Sequence, residues 1–243
     1  MVFQPICRGA DLGIVGYEAL ARFPEGTAGP EQWFAAAAHS ALSGALEGAA
    51  LLNALNDADA LAPEMFLSVN LSSAALAADP LLAEPIRHTA AHRTVVLELT
   101  ERSEITESDP VLTILDRLRT AGVQVALDDV GTGYSGLRQL ITVRPDMLKI
   151  DAVLTRAIDT DPLREAIAAS LIALADTREM TIVFEGVETD AELHTLRRLG
   201  AHLLQGYRLG RPAPLPRTTT GHGISTDAGP IAGTTCSRPG QSD

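Results

Sequence analysis

The sequence has few of the residues that mark several common classes of protein. Its two cysteines, Cys7 and Cys236, lie at opposite ends of 243 residues, which argues against a disulfide framework and fits a reducing setting. No apolar run approaches the roughly 18 residues of a membrane-spanning helix. No basic segment followed by an apolar one marks a signal peptide at the N-terminus. We therefore expect a cytoplasmic location, with no membrane span in this chain.

Positive charge and histidine are also scarce. The formal net charge is -12, whereas a protein that binds the phosphate backbone of a nucleic acid polymer needs a basic face. The six histidines are scattered, so a zinc site has little support. The negative net charge of the protein does not exclude a small anionic ligand whose own charge is neutralised locally by metal ions. The sequence thus argues against a nucleic acid polymer as partner.

What the chain does contain is an alternation of apolar, strand-like segments with helical ones. The first two predicted strands, Val2–Cys7 and Ile14–Leu20, are joined by too few residues for a parallel crossover, so they predict an antiparallel hairpin. Six further strands are predicted at Met65–Asn70, Thr94–Leu99, Val123–Leu127, Asp146–Ile150, Thr181–Phe184 and His202–Leu204. Helices are predicted from Pro30 and at Leu42–Ala60, Leu81–Ala91, Pro110–Thr120, Ser135–Leu140, Leu163–Thr177 and Ala191–Leu199.

Alternating strands and helices over about 200 to 250 residues are typical of a parallel barrel. We therefore predict an α/β fold, a modified TIM (β/α)8 barrel with its first strand antiparallel. A doubly wound open sheet is the competing architecture. After Pro212 the composition turns to Pro, Gly, Thr and Ser without an apolar period. We expect a barrel domain over residues 1–214 and a disordered tail over 215–243.

Most predicted strands end at or near charged or amide side chains. These residues are Glu18, Asn70, Glu98, Asp128, Asp129, Lys149, Asp151, Glu185, Glu188 and Gln205. The carboxyl ends of the strands of such a barrel lie on one face, so we expect these groups to lie close together in a single site there. Taken singly, a surface ion pair or a helix cap explains each of them as well.

Oxygen donors without clustered His or Cys select hard cations, Mg²⁺ or Mn²⁺. The adjacent Asp128 and Asp129 suit a two-ion site that cleaves a phosphodiester by in-line displacement. Lys149 could orient the attacking water or meet phosphate charge. The hydroxyls between Ser68 and Ser73 have no Gly-x-Ser-x-Gly motif, so a serine hydrolase is unsupported.

The order and spacing of these residues resemble the EAL-domain family, which hydrolyses cyclic di-GMP. The matching segments are Phe3-Gln4-Pro5-Ile6, Gly16-Tyr17-Glu18-Ala19-Leu20-Ala21-Arg22, Ser68-Val69-Asn70-Leu71-Ser72, Glu98-Leu99-Thr100-Glu101, Asp128-Asp129-Val130-Gly131-Thr132-Gly133-Tyr134-Ser135, Leu148-Lys149-Ile150-Asp151, Glu185-Gly186-Val187-Glu188-Thr189, Gln205-Gly206-Tyr207 and Arg211-Pro212. The resemblance implies cleavage of one phosphodiester bond to linear pGpG, which lowers the level of this second messenger, with two Mg²⁺ or Mn²⁺ ions.

The resemblance also implies a role for each site residue. The first ion would be held by Glu18, Asn70, Glu98 and Asp128, and the second by Asp128, Asp129 and Glu185. Catalytic roles would fall to Glu185 as an alternative general base, to Lys149 beside the water and to Glu188 in support. Substrate would be contacted by Gln4, Arg22, Asp151 and Gln205, the last also supporting the site. Glu101 would anchor the loop 129–135, which couples metal binding to a dimer interface in this family.

Four positions depart from the family's usual residues without touching the ligand set. They are Val130 for phenylalanine, Gly136 for serine, Arg102 for serine and Phe184 for alanine. The altered loop favours an alternative, a catalytically silent cyclic di-GMP receptor or interaction module. Cleavage of another nucleotide is a third option. The expected partners are cyclic di-GMP, a second copy of the chain in a homodimer, and a sensory or GGDEF-type domain.

Overall fold

The computed structural model describes residues 1–24, 26–38, 40, 42–100, 105–130 and 136–215, without the side chains of residues 100, 129, 130, 136 and 137. Eight strands close into a barrel in chain order. They are β1 (Val2–Arg8), β2 (Ile14–Leu20), β3 (Phe66–Ser72), β4 (Val95–Thr100), β5 (Gln124–Val130), β6 (Met147–Ile150), β7 (Thr181–Phe184) and β8 (Leu203–Leu204). β1 runs antiparallel to both β2 and β8, and all other neighbours are parallel. The predicted fold is confirmed, and barrel closure excludes the open sheet.

Helices cover the outside of the barrel. They are α1 (Pro30–Ala38), α2 (Ser43–Asp57), α3 (Ser73–Ala78), α4 (Ala83–Ala90), α5 (Val111–Thr120), α6 (Gly136–Val143), α7 (Ala152–Thr155), α8 (Pro162–Thr177) and α9 (Asp190–Leu199), with 3₁₀ turns at Ala58–Ala60 and Pro80–Leu82. The short α3 and α7 were not predicted. Their signals were the N-cap residues, since Ser72 accepts a hydrogen bond from Ala75 N and Asp151 accepts one from Val153 N. Within the described residues, no helix is long and apolar enough to cross a membrane.

One layer of side chains inside the barrel is apolar. Its residues are Ile6, Val96, Ala126, Met147, Val183 and Leu203, a cluster separate from the large core between strands and helices. Because strand side chains alternate between the two faces, residues two positions further along a strand also face inward. Those residues are Glu98, Asp128, Lys149, Glu185 and Gln205. The alternation of faces therefore places a layer of polar side chains next to the apolar layer, two residues further along the strands.

β5 contains an irregularity that the sequence did not predict. The strand continues to Val130, beyond the predicted end at Leu127, so Asp128 and Asp129 lie within it rather than after it. Leu127 pairs with Leu148 and Val130 with Ile150, so β5 has one residue more than β6 across this interval. Such bulges are common beside active sites because they redirect a strand locally.

Most of the predicted tail lies outside the described residues. The exception is Leu215, its first residue, which is half-buried against the core.

Candidate active site

Lys149 lies at the centre of the polar layer, surrounded by four carboxylates from four other strands or strand ends. Its Nζ is 2.7 Å from Glu98 Oε2 and 2.7 Å from Glu185 Oε1. It is 3.5 Å from both Glu18 Oε2 and Asp128 Oδ1. The Lys149 side chain is 1% exposed, so water screens these charges poorly. The structure thus brings four of the predicted site residues around the ammonium of a fifth.

The pKa values show that this ammonium does not balance the cluster. Burial raises the pKa of Glu98 well above its usual value, and the charge of Glu18 raises it further. Burial likewise raises the pKa of Glu185, to about 8, although Lys149 opposes this. Burial alone would lower the pKa of Lys149, but the surrounding carboxylates hold it well above its usual range. A site with surplus buried negative charge favours an added cation.

Glu18 is held by side-chain amides. Asn70 Nδ2 donates to its Oε1 at 2.9 Å, and Gln205 Nε2 donates to its Oε2 at 2.7 Å. Burial alone would raise the pKa of Glu18, but the Lys149 ammonium and these two hydrogen bonds leave that pKa below its usual value. Gln205 Nε2 also donates to Gln4 Oε1 at 3.2 Å. Gln4 and Gln205 are both buried, so their observed contacts orient a carboxylate of the cluster.

Ser68 is a residue of this site that sequence reasoning missed. Its hydroxyl donates a short hydrogen bond to Glu98 Oε1, while Glu98 Oε2 faces Lys149. Both Ser68 and Glu98 are fully buried. The signal was present in the strand period, because Ser68 lies two residues before Asn70 and shares its face.

The donor set fits a hard divalent cation in chemistry. Carboxylate and amide oxygens come from Glu18, Asn70, Glu98 and Asp128, and such oxygens suit Mg²⁺ and Mn²⁺. Among the described residues, no three His, Cys, Asp or Glu side chains are already spaced as a metal cage. The reason is visible in the geometry, because the carboxylates converge on the ammonium.

Three predicted residues lie outside this cluster. Arg22 is exposed, bonds to the carbonyl of Ala21, and borders a cavity of about 190 Å³ that Asn70 also lines. Glu188 is exposed, and its carboxylate is 3.7 Å from Arg156. Asp151 caps α7, as the helix-cap alternative allows.

The structure does not describe the side chains of two predicted site residues, Glu101 and Asp129. Glu101 and the loop residues 131–135 lie outside the described residues, as does the side chain of Asp129. Of the four departures from the family's usual residues, Arg102 is also outside them, and the side chains of Val130 and Gly136 are not described. Phe184 is fully buried in the core between strands and helices.

Several known proteins are similar in sequence to this chain. The cyclic di-GMP phosphodiesterase PdeB of Escherichia coli, named as probable, is 34% identical over 222 residues, which cover 87% of this chain and 42% of that protein. The bifunctional diguanylate cyclase/cyclic di-GMP phosphodiesterase MucR of Pseudomonas aeruginosa is 38% identical over 152 residues, 61% of this chain and 22% of that protein. The chain thus spans less than half the length of these relatives.

Solved structures agree in fold. BlrP1 of Klebsiella pneumoniae, in complex with calcium and cyclic di-GMP, has a TM-score of 0.76 and 33% identity, covering 87% of this chain and 55% of that one. The PaMucR phosphodiesterase in complex with cyclic di-GMP has a TM-score of 0.75 and 32% identity, covering 88% of this chain and 91% of that one. The family model of the EAL domain matches residues 1–212. Because that match extends from β1 to the segment after β8, the chain belongs to the EAL domain family.

Proposed function

We propose that this chain hydrolyses one phosphodiester bond of cyclic di-GMP to linear pGpG, using two divalent ions, Mg²⁺ or Mn²⁺. The observation that carries the proposal is the convergence of Glu18, Glu98, Asp128 and Glu185 on Lys149 at one end of the barrel. The relatives named as cyclic di-GMP phosphodiesterases support the substrate, and structures of BlrP1 with calcium or manganese support the metals.

The proposed ligands divide between the two ions. Glu18, Asn70, Glu98 and Asp128 would hold the first ion, and Asp128, Asp129 and Glu185 the second. When bound, such a pair lowers the pKa of a coordinated water and stabilises the leaving oxygen. The buried amides of Asn70 and Gln205 keep Glu18 oriented for its role, as partners of metal ligands usually do.

Glu185 is the carboxylate of the cluster best placed to meet a reacting water. Its side chain is 23% exposed, compared with 15% for Asp128 and less for Glu18 and Glu98. Acting as a base, it would take the proton of the attacking water, and Lys149 at 2.7 Å would then neutralise the charge of the phosphoryl oxygens.

Substrate contacts would come from the rim of the barrel. Arg22 is exposed beside Asn70 and can pair with a phosphate. Asp151 directly follows β6, and Glu188 lies four residues after the end of β7. The substrate would pass there, and Glu188 would support the site from that position. The buried Gln4 and Gln205 would act on substrate through Glu18.

The wider setting is proposed by analogy with the relatives. A homodimer, a cytoplasmic location and a sensory or GGDEF-type partner domain would fit a phosphodiesterase of this family. One relative is named as a bifunctional diguanylate cyclase and phosphodiesterase.

Product analysis tests the activity. Incubation of the protein with cyclic di-GMP and Mn²⁺ should yield pGpG, and Asp128→Asn should remove the product because one carboxylate would serve both ions. Asp159→Asn, an exposed matched change after α7, should behave like the parent. The proposal fails if the parent and Asp128→Asn give the same background.

A catalytically silent receptor is the second candidate. The feature in its favour is the altered sequence on both sides of the loop 131–135, where Val130 and Gly136 differ from the family's usual residues. Tight binding of cyclic di-GMP by calorimetry, without hydrolysis in either Mg²⁺ or Mn²⁺, would favour it. A panel of other cyclic and linear dinucleotides separates a different substrate from no activity.

A further inference from the structure

Lys149 is the only lysine in the sequence, since the other 18 of the 19 lysine and arginine residues are arginines. Its ammonium is a compact point charge on a flexible stem, unlike the planar guanidinium of arginine. This single lysine is also among the most buried side chains of the protein. The site therefore contains one small, tethered cation at the point where the carboxylates meet.

The Lys149 ammonium contacts the same carboxylate oxygens that would bind a metal ion. Glu18 Oε2, Glu98 Oε2 and Asp128 Oδ1 all lie within 3.5 Å of Lys149 Nζ. A bound Mg²⁺ requires its oxygens at about 2.0–2.1 Å in near-octahedral geometry. An ammonium held by the same three oxygens would lie next to the ion, and their like charges repel strongly at such a distance in a poorly hydrated site.

Glu185 offers the ammonium a second position. It lies at the same 2.7 Å from Nζ as Glu98, but its side chain is 23% exposed whereas that of Glu98 is fully buried. A lysine that leaves Glu98 can therefore keep Glu185 and move toward the open end of the barrel.

We propose that Lys149 is the resident counter-ion of the metal-free site. The ion that Glu18, Asn70, Glu98 and Asp128 would hold binds by displacing the Lys149 ammonium from Glu98 and Glu18 toward Glu185, before Glu185 becomes a ligand of the second ion. This inference rests on the proposed function. In the metal-free protein the lysine keeps the buried carboxylates together, and on metal binding the same side chain moves to the side from which substrate phosphate approaches. Lys149 thus weakens ion binding while it stabilises the empty site.

Calorimetry on a charge-removed variant tests the competition. Lys149→Met removes the ammonium at similar length, so Mg²⁺ and Mn²⁺ should bind about tenfold more tightly, or better, because a like charge no longer opposes the ion. Arg198→Met is the matched control, since it removes a positive charge from an exposed pair with Glu165 and should leave ion affinity unchanged. Equal or weaker ion binding by Lys149→Met than by the parent overturns the proposal.

A measurement on the parent protein avoids any failure of that variant to fold. Selective ¹³C,¹⁵N-lysine labelling gives signals from Lys149 alone, because the chain has no other lysine. Titration with diamagnetic Mg²⁺ should shift the side-chain signals of Lys149, with the midpoint that calorimetry gives for ion binding. Ion binding that leaves these signals in place overturns the proposal.

The two experiments also separate this inference from the proposed function. Hydrolysis of cyclic di-GMP together with unmoved lysine signals overturns the displacement and leaves the activity intact. Absence of ion binding by both parent and Lys149→Met overturns both proposals.

Discussion

Ser68 should be a positioning residue whose loss is measurable in both stability and activity. Its hydroxyl donates to Glu98 Oε1, and both residues are fully buried. Ser68→Ala therefore leaves one carboxyl oxygen of Glu98 without its donor, in a place where water cannot replace it. The cost of an unsatisfied buried polar group is about 1–3 kcal/mol in the free energy of unfolding.

The same hydrogen bond fixes which oxygen of Glu98 faces the cluster. With Oε1 held by Ser68, Oε2 is directed at Lys149 Nζ, 2.7 Å away. Without that restraint Glu98 can rotate about its last bond, so the ion would be held less well. Loss of such a partner typically reduces metal affinity or activity by about 10–100-fold.

Urea unfolding and steady-state hydrolysis in Mn²⁺ measure the two effects. Ser170→Ala is the matched control because this serine is exposed and, within the part of the chain that the structure describes, its hydroxyl donates to the carbonyl of Ala166, one turn earlier in α8. Its effect should stay within about 0.5 kcal/mol, as is usual for surface changes. If Ser68→Ala matches Ser170→Ala in stability and in activity, the positioning role assigned to Ser68 is wrong.

Three further predictions concern the rest of the site. Gln205→Leu removes the amide that donates to Glu18 and should lower kcat/KM by about 10–100-fold; unchanged kinetics would refute its orienting role. Because the pKa of Glu185 is raised from 4.5 to about 8, the folded metal-free protein binds that proton more tightly than the unfolded chain does, so stability should fall as pH rises between these values. Urea unfolding with a chelator at several pH values should show a shallower slope for Glu185→Gln, and an identical slope would contradict the assignment. Gly206→Ala would place a Cβ in steric clash with the backbone of Val187 and should destabilise the protein by about 1–3 kcal/mol in thermal unfolding. The same change at Gly44, which has open space around it, should not destabilise the protein.

Much of the architecture could be predicted because its causes are local. The connection between β1 and β2 is too short for a parallel crossover, so the length of this connection alone predicted their antiparallel pairing. Strand positions followed from apolar runs, and the observed ends of β2 and β7 agree with the predicted ones. The short α3 and α7 were missed because a capping serine or aspartate is a weak signal without a long apolar period.

The membership of the site could be predicted better than its contacts. Glu18, Asn70, Glu98, Asp128, Lys149, Glu185 and Gln205 all meet at the barrel end, as their places at strand ends indicated. The hydrogen-bond and ion-pair partners of these residues could not be predicted from the sequence in the same way. Gln205 and Gln4 are 201 positions apart and meet because β8 closes the barrel against β1. The bulge in β5 likewise depends on how that strand pairs with β6.

The sequence by itself determined which side chains share a face of each strand, because a strand alternates its faces with a period of two. Five of the site residues have an apolar neighbour two positions earlier, namely Glu98, Asp128, Lys149, Glu185 and Gln205. Only the tertiary structure decided that the Lys149 ammonium would lie between four carboxylates. It also decided that the Ser68 hydroxyl would orient the carboxylate of Glu98. The reason is that such distances depend on the stagger of all eight strands at closure, which no local stretch of the chain specifies.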